Sequence, residues 1–364
     1  MHESRILIRR RLRGFARILK LLSRFLRGYR DFRRTGSTSA QAYRSMRELY
    51  WRTNGRFNDS MAFFVGLQNR PYTVDHRRSQ LGMIDEYSVK AAVRDLRSRG
   101  YHVFKHRLPE DAIVELTTFA KTAPSRPLVS SSQNLTSFTF EYGDPVVFDG
   151  ANPLHVLYRF DEGQVMETRA AQQILTEPWL LSLAQDYLRC KPVNDMVTMW
   201  WSTSVADKPS SEAAQFYHFD MDWIKFVKFF VYLTDVQKDT GPHSYVAGSH
   251  RRKPAALLRD GRFRDEELKD HYPPDDLVEI TGPPGTMFIA DTRGFHKGKH
   301  PIAGNRLVLQ IEFAINLFGQ SYPVLELNDA FTPEFIQTAK RYPYTYTRFI
   351  STPREERTPV RQKH

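Results

Sequence analysis

The sequence predicts a mainly β fold, a double-sheet jelly roll or sandwich with flanking helices that follows an N-terminal helical region. Three segments carry this prediction, and they are rich in β-branched and aromatic residues: 194–204, 224–234 and 306–318. Helical stretches of 10–15 residues do not regularly separate them, which argues against a parallel sheet built from alternating strands and helices. Antiparallel strands therefore form the expected core.

Composition excludes several classes of protein. The single cysteine, Cys190, rules out an internal disulfide and any site built from several cysteines. Hydrophobic residues make up 41% of the 364 residues and aromatic residues 13%, which favours a packed core over disorder. Apolar runs stay well short of the ~20 residues of a membrane span, and arginines at positions 9, 10, 11 and 13 interrupt the start. We therefore expect neither a membrane span nor a secretory signal.

The net charge of +12 is concentrated at the N-terminus. Residues 1–40 contain twelve Arg and Lys residues and two acidic residues, so they carry +10 and the remaining 324 residues carry +2. The basic character therefore describes one segment rather than the whole chain. An interpretation of the entire protein as nucleic-acid-binding loses most of its support.

The pattern of residues 1–39 predicts a basic amphipathic helix followed by a linker. Apolar and basic residues each recur every three or four positions, on nearly opposite faces of a helix. The apolar series is Ile8, Leu12, Phe15, Leu19, Leu22, Leu26 and Tyr29. Four interpretations remain open. The helix packs on the body, pairs as a short coiled coil, contacts an anionic membrane through residues 5–30, or acts as a mitochondrial targeting segment.

The remaining elements follow in chain order. Residues 40–87 predict a helical lead-in, residues 88–320 the jelly-roll domain, and residues 321–364 a C-terminal extension with a disordered end. Further predicted elements are strands at 101–105 and 285–291 and helices at 109–122 and 170–188.

A candidate metal site combines His218-Phe-Asp220 with the distant His296. In an extended chain residues i and i+2 point to the same side, so His218 and Asp220 can reach one ion. Two imidazoles and one carboxylate on one face of an ion leave positions open, as in mononuclear non-haem Fe(II) oxygenases. Arg306 opens the next predicted strand, and its planar fork can hold a distal carboxylate through two parallel hydrogen bonds.

The order of these motifs resembles the phytanoyl-CoA dioxygenase family of Fe(II)- and 2-oxoglutarate-dependent oxygenases over about residues 88–318. The segments that carry the resemblance are Gln215-Phe-Tyr-His218-Phe-Asp220, Lys228-Phe-Phe-Val-Tyr-Leu-Thr-Asp235, Thr240-Gly-Pro-His-Ser-Tyr-Val-Ala-Gly-Ser-His250-Arg, and Gly285-Thr-Met-Phe-Ile-Ala-Asp with His296 and Arg306. The resemblance implies a double-stranded β-helix in which His218, Asp220 and His296 are the catalytic iron ligands. It also implies O2 and 2-oxoglutarate as cosubstrates, with Arg306 on the far carboxylate of 2-oxoglutarate.

Three residues refine this expectation. Lys228 interrupts an apolar run and points either into the barrel, toward 2-oxoglutarate or substrate, or toward solvent. Asp220 favours hydroxylation, because halogenases that resemble the family lack this carboxylate. Gly298 stands where some family members have a Ser or Thr that touches 2-oxoglutarate.

We therefore expect a dioxygenase that hydroxylates a small-molecule or lipid-type substrate. The alternative is a catalytically silent jelly-roll relative that acts as a membrane-associated binding module. Two further hypotheses are a nucleic-acid-associated oxygenase and a cupin-like metal protein. A cupin-like site would need more histidines near His218. We expect the protein in the cytoplasm or at the membrane periphery, with the mitochondrion as the alternative.

Overall fold

The computed structural model describes residues 2–82, 84–133, 138–211 and 213–351, and the side chains of these except 2–13 and 131–139. The predicted disordered end of the chain, 353–364, lies outside the described residues.

Four of the ten described α-helices precede the first strand, which confirms the predicted N-terminal helical region. The ten helices are α1 (His2–Thr35), α2 (Ala40–Thr53), α3 (Arg56–Gln68), α4 (Glu86–Ser98), α5 (Glu110–Thr122), α6 (Glu162–Met166), α7 (Arg169–Leu175), α8 (Pro178–Leu188), α9 (Asp265–Lys269) and α10 (Pro333–Arg341). Side-chain caps fix several starts. The side chain of Ser39 accepts a hydrogen bond at the start of α2, and that of Asp85 does so at the start of α4.

The strands pair almost entirely antiparallel. They are β1 (Tyr101–Arg107), β2 (Pro124–Gln133), β3 (Phe138–Tyr142), β4 (Val146–Val147), β5 (Leu157–Arg159), β6 (Val193–Thr203), β7 (Phe226–Tyr232), β8 (His243–Val246), β9 (Leu277–Ile280), β10 (Thr286–Ala290), β11 (His296–Gly298), β12 (Asn305–Ala314), β13 (Leu325–Glu326) and β14 (Phe349–Ile350). The larger sheet has the order β1-β10-β7-β12-β6-β5-β2-β3, with β4 on β2, and the smaller sheet has the order β11-β8-β9. This antiparallel two-sheet architecture confirms the predicted jelly roll.

The larger sheet is buried on both faces. On β7, Val227 and Phe229 belong to the core under the helices, together with Trp179 of α8. The alternate residues Phe230 and Tyr232 pack inward against residues of β8 and β9. This double burial explains why the central strands are nearly continuous apolar runs, and it makes the inward-facing polar side chains conspicuous.

Helix α1 packs on the body through a face only partly predicted. The ring of the buried Phe25 lies 4.8 Å from that of Phe57 and 5.1 Å from that of Phe318. Ile18, Leu21, Leu22, Tyr29 and Phe32 contact the same core. Three residues of the predicted apolar series are instead exposed: Phe15, Leu19 and Leu26. The side chains of Ile8 and Leu12 lie outside the described residues. The helix carries more apolar residues than one face can bury.

Among the described helices, none is both long enough and apolar enough to cross a lipid bilayer.

Candidate metal centre and the cavities beside it

Two backbone hydrogen bonds join His218 and His296. The amide of His218 donates to the carbonyl of His296 at 3.0 Å, and the amide of His296 donates back at 2.8 Å. Tyr217 and Phe263 exchange a second pair of bonds beside the first. The predicted ligands are thus held by β-type pairing although His218 lies outside the named strands, and their rings come to 4.3 Å between centroids.

The side-chain orientation suits a single metal ion. The Nδ1 atoms of His218 and His296 each lie 3.0 Å from a backbone carbonyl, those of Phe216 and Gly294. A proton donated at Nδ1 leaves the Nε2 lone pair free for a metal. Both Nε2 atoms face Asp220, at 3.6 and 3.4 Å from its two carboxylate oxygens. The ligand atoms of the three residues lie within 4.8 Å of one another.

Electrostatics keep these groups in the protonation states that bind metal. Burial lowers the pKa of His218 well below its ordinary value and lowers that of His296 as well, so both rings are neutral near pH 7. For Asp220, burial alone would favour the neutral acid. The charge of Lys228 nevertheless holds the pKa of this carboxyl well below its usual range. Neutral imidazoles and an ionised carboxylate are the ligand forms that Fe(II) requires.

Lys228 points into the barrel, one of its two predicted orientations. Its Nζ atom lies 2.8 Å from Asp220 Oδ2, 3.2 Å from Asp222 Oδ2 and 3.2 Å from Glu312 Oε2. Its ammonium is therefore engaged by three carboxylates beside the predicted metal site. Direct contact between Lys228 and 2-oxoglutarate stays a prediction, although the side chain lines the same cavity.

A cavity of about 250 Å³ runs from the predicted ligands to Arg306. The buried guanidinium of Arg306 donates to the carbonyl of Gly241 and, at 3.0 Å, to Ser202 Oγ. Its Nε has no hydrogen-bond partner among the described residues. A Cβ atom added at Gly298 would lie 3.1 Å from Arg306 Nη2, so the glycine keeps the space beside the guanidinium open. The cavity therefore suits a dicarboxylic acid with one end at the predicted metal site and the other at Arg306.

Two further polar residues of this cavity were not predicted. Arg159 lies at the end of β5, where its Nη2 contacts Met196 Sδ at 3.5 Å and pairs with no carboxylate of the described residues. The ring of His243 stacks on that of His296 at 5.5 Å, and its Nε2 lacks a partner in the described part of the chain. His243 could have been predicted as a site residue from its place in the Thr240-Gly-Pro-His243 turn motif. The three-residue strand β5 has no sequence pattern that would identify Arg159.

A second cavity of about 440 Å³ adjoins the first at the predicted metal site. The two share Arg159, Met196, His218 and Asp220. The second cavity extends toward α2 and is lined there by Tyr43, Arg47, Trp223, Asp260 and Arg262. The predicted metal site therefore lies between a chamber that ends at Arg306 and a larger one that mixes aromatic and charged walls.

Comparison with known proteins identifies a family. The sequence profile of phytanoyl-CoA dioxygenase (PhyH) matches residues 96–300, more than half of the chain, and this range contains the three predicted ligands but ends before Arg306. Among curated proteins, none matches the chain.

Solved structures resemble the chain at low identity. AviO1 from Streptomyces viridochromogenes Tue57 is 18% identical with a TM-score of 0.41, and the match covers 69% of this chain and 100% of AviO1. EctD from S. alaskensis, solved with bound Fe, is 15% identical with a TM-score of 0.43, over 67% and 79% of the two chains. HygX from Streptomyces hygroscopicus, solved with nickel, 2-oxoglutarate and hygromycin B, is 14% identical with a TM-score of 0.39, over 68% and 93%. Similarity at this level supports no conclusion about substrate or reaction.

Proposed function

The chain belongs to the phytanoyl-CoA dioxygenase family of Fe(II)- and 2-oxoglutarate-dependent oxygenases, and on this basis we propose that it hydroxylates a small-molecule or lipid-type substrate. One observation carries the proposal. His218, Asp220 and His296 converge at one end of a cavity, and Arg306 lies among its walls. This arrangement supplies an open facial metal site together with a cation for the far carboxylate of 2-oxoglutarate.

The chain binds, orients and shields the reactants. Bound iron, 2-oxoglutarate and O2 supply the oxidising chemistry. His218 and His296 provide neutral nitrogens, Asp220 provides one negative charge, and Arg306 orients the cosubstrate through its distal carboxylate. Aromatic and apolar walls exclude bulk water from this chamber: Trp200, Tyr232, Phe288 and Val308.

The carboxylate among the predicted metal ligands supports hydroxylation. The second cavity supports the position that we propose for the substrate. Asp220 fills the position that is free of a carboxylate in the related halogenases, so hydroxyl transfer to the substrate is the favoured outcome. The cavity of about 440 Å³ meets the predicted metal site on the side of α2, where it can hold a substrate next to the iron.

Anaerobic titration tests the assembled site. With Fe(II) and 2-oxoglutarate added together, we expect a weak visible metal-to-ligand charge-transfer band. The His218→Ala variant should lose the band, whereas the matched control His271→Ala, at an exposed histidine, should retain it. A parent protein that binds both compounds without this band would contradict the proposal and favour the catalytically silent alternative.

Turnover then identifies the substrate. Succinate release is measured with a panel of acyl-CoAs, lipids and lipid-linked sugars, and products are analysed by mass spectrometry. A product heavier than its substrate by one oxygen atom supports hydroxylation. A product that has lost two hydrogens or gained a halogen would overturn the assigned reaction while leaving the cofactor assignment intact.

A further inference from the structure

Exposed apolar side chains cluster on helices α1 and α3. Phe63, Phe64 and Leu67 of α3 are 56%, 57% and 59% exposed, and Phe15, Leu19 and Leu26 of α1 are exposed to a similar degree. The rings of Phe63 and Phe64 contact each other, 5.8 Å between centroids, rather than the core. We call these six residues the apolar edge.

The two helices bring their parts of the apolar edge together. Phe25 of α1 contacts Phe57 of α3. Arg33, eight residues after Phe25 on α1, donates a hydrogen bond from its Nη1 to Gln68 Oε1 of α3 at 3.0 Å. The two contacts follow the same order along both helices, so α1 and α3 run in the same general direction. Leu26 is seven residues before Arg33, so both lie on the flank of α1 that faces α3.

The same spacing argument applies to α3. Phe64 is four residues before Gln68 and seven after Phe57, so it lies on the flank of α3 that faces α1. Leu26 and Phe64, one exposed side chain from each helix, consequently lie on the facing flanks of α1 and α3.

Positive charge also adjoins this edge. Phe63 lines a cavity of about 260 Å³ together with Arg97, Arg189 and Arg251, and a neighbouring cavity adds Arg94. The two cavities also contain Asp59, which pairs with Lys225 and Arg293, and Asp186. Arg94, Arg189 and Arg251 are exposed, and they form no ion pair with a carboxylate of the described residues. We call these three arginines the basic rim. Exposed cations without an acidic partner in the described chain also follow α1: Lys20, Arg27, Arg30 and Arg34.

We propose that the apolar edge and the basic rim together dock the protein on the surface of an anionic lipid bilayer. Exposed Phe and Leu side chains gain free energy at the boundary between headgroups and acyl chains. Each nearby Arg or Lys adds electrostatic attraction to anionic lipids. Because the charge and the apolar side chains lie on adjoining elements, one surface satisfies both requirements.

Other occupants fit this surface less well. In a symmetric pair of chains the same patch faces itself, so the unpaired arginines of the two copies would meet. A nucleic acid would satisfy the arginines, but it would leave six exposed apolar side chains without a hydrophobic partner. An anionic bilayer satisfies both sets.

Vesicle cosedimentation of the full chain tests the proposal. We compare vesicles of phosphatidylcholine alone with vesicles that also contain phosphatidylglycerol. The parent should bind the anionic vesicles at least about tenfold more tightly, and the difference should shrink as salt rises. The variants Phe63→Ser/Phe64→Ser/Leu67→Ser and Arg94→Gln/Arg189→Gln/Arg251→Gln should each weaken anionic binding about tenfold or more.

A matched control distinguishes binding through this surface from nonspecific hydrophobic binding. Leu154→Ser/Ile302→Ser/Val324→Ser removes three exposed apolar side chains from loops elsewhere and should bind as the parent does. Thermal unfolding of each variant checks that the fold is intact.

Three results would overturn the proposal. One is equal binding of the parent to both kinds of vesicle, and another is unchanged binding by both surface variants. The third is a parent that is dimeric by light scattering and becomes monomeric in either variant, because the surface would then cover a second copy of the chain.

Discussion

The Nζ atom of Lys228 lies 2.8 Å from Oδ2 of Asp220, one of the three predicted metal ligands. The same ammonium lies 3.2 Å from Asp222 and 3.2 Å from Glu312. Glu312 is fully buried, and burial raises its pKa well above the ordinary value. Burial therefore favours the neutral acid form of Glu312, and the carboxylate that Lys228 chiefly compensates is Asp220, which it also holds beside the histidines.

Replacing Lys228 by Met should destabilise the protein strongly. Removing one partner of a buried ion pair leaves charge uncompensated in a medium of low dielectric constant, which costs about 3–5 kcal/mol. Urea denaturation at neutral pH measures this loss, and Lys238→Met, at an exposed lysine, serves as the control. A Lys228→Met protein that unfolds at the same urea concentration as the control would show that the carboxylates do not depend on this cation.

Substitution of any predicted ligand should abolish Fe(II) binding. His218→Ala and His296→Ala each remove one of only three protein donors, but the backbone bonds between these two residues remain possible for alanine. We therefore expect near-zero iron content after anaerobic reconstitution, with a thermal unfolding temperature close to that of the metal-free parent. Full iron occupancy in either variant would exclude that histidine as a ligand.

Arg306→Lys should weaken the dependence on 2-oxoglutarate and leave iron binding unchanged. Lysine keeps the positive charge but loses the planar fork, which donates to Ser202 and has atoms left for a carboxylate. The apparent affinity for 2-oxoglutarate, followed by succinate release, should fall about tenfold, equivalent to the loss of about 1.4 kcal/mol from one charge-assisted hydrogen bond. An unchanged 2-oxoglutarate dependence would assign the carboxylate to another cation, with Arg159 the first candidate.

The central strands and the pair His218 and Asp220 could be predicted from the sequence because their signals are local, whereas His296 was predicted from the order of the motifs. Segments such as 224–234 are continuous apolar runs, and the i, i+2 spacing of His218 and Asp220 follows from the geometry of an extended chain. The partners of Lys228 were not accessible in this way. Glu312 lies 84 positions later and faces Lys228 only through the register of β7 and β12. That register depends on the whole sheet.

The face of α1 that packs on the body could not be fully predicted from the sequence either. The sequence offers apolar residues on more than one side of this helix, and periodicity alone does not select among them. The selection is made by Phe57 and by Phe318, which lies almost three hundred positions away. Arg159 escaped prediction for a related reason, because a three-residue strand has no recognisable pattern of its own.

His250 should make the protein sensitive to acid, and this prediction concerns a residue outside the metal site. It lies in the turn after β8, is 8% exposed, and its Nδ1 has no hydrogen-bond partner among the described residues. Burial lowers its pKa from 6.5 to about 4. Between these two values the unfolded chain binds a proton that the native protein does not, so the free energy of unfolding falls as the pH falls. Its contribution is fully present above pH 6.5 and is lost progressively toward pH 4, by about 3 kcal/mol at most.

The variant His250→Gln has a side chain that does not titrate, so it isolates this effect from those of the other buried histidines. Urea denaturation of the metal-free parent and variant at several pH values between 7 and 4 gives the free energy of unfolding of each. We expect the parent to lose stability more steeply than His250→Gln over this range, while His271→Gln, at an exposed histidine, follows the parent. A parent-to-variant difference that stays constant from pH 7 to pH 4 would mean that His250 takes up its proton over the same pH range in the native protein as in the unfolded chain. In that case a charged group near the turn would have to offset the burial of the imidazolium.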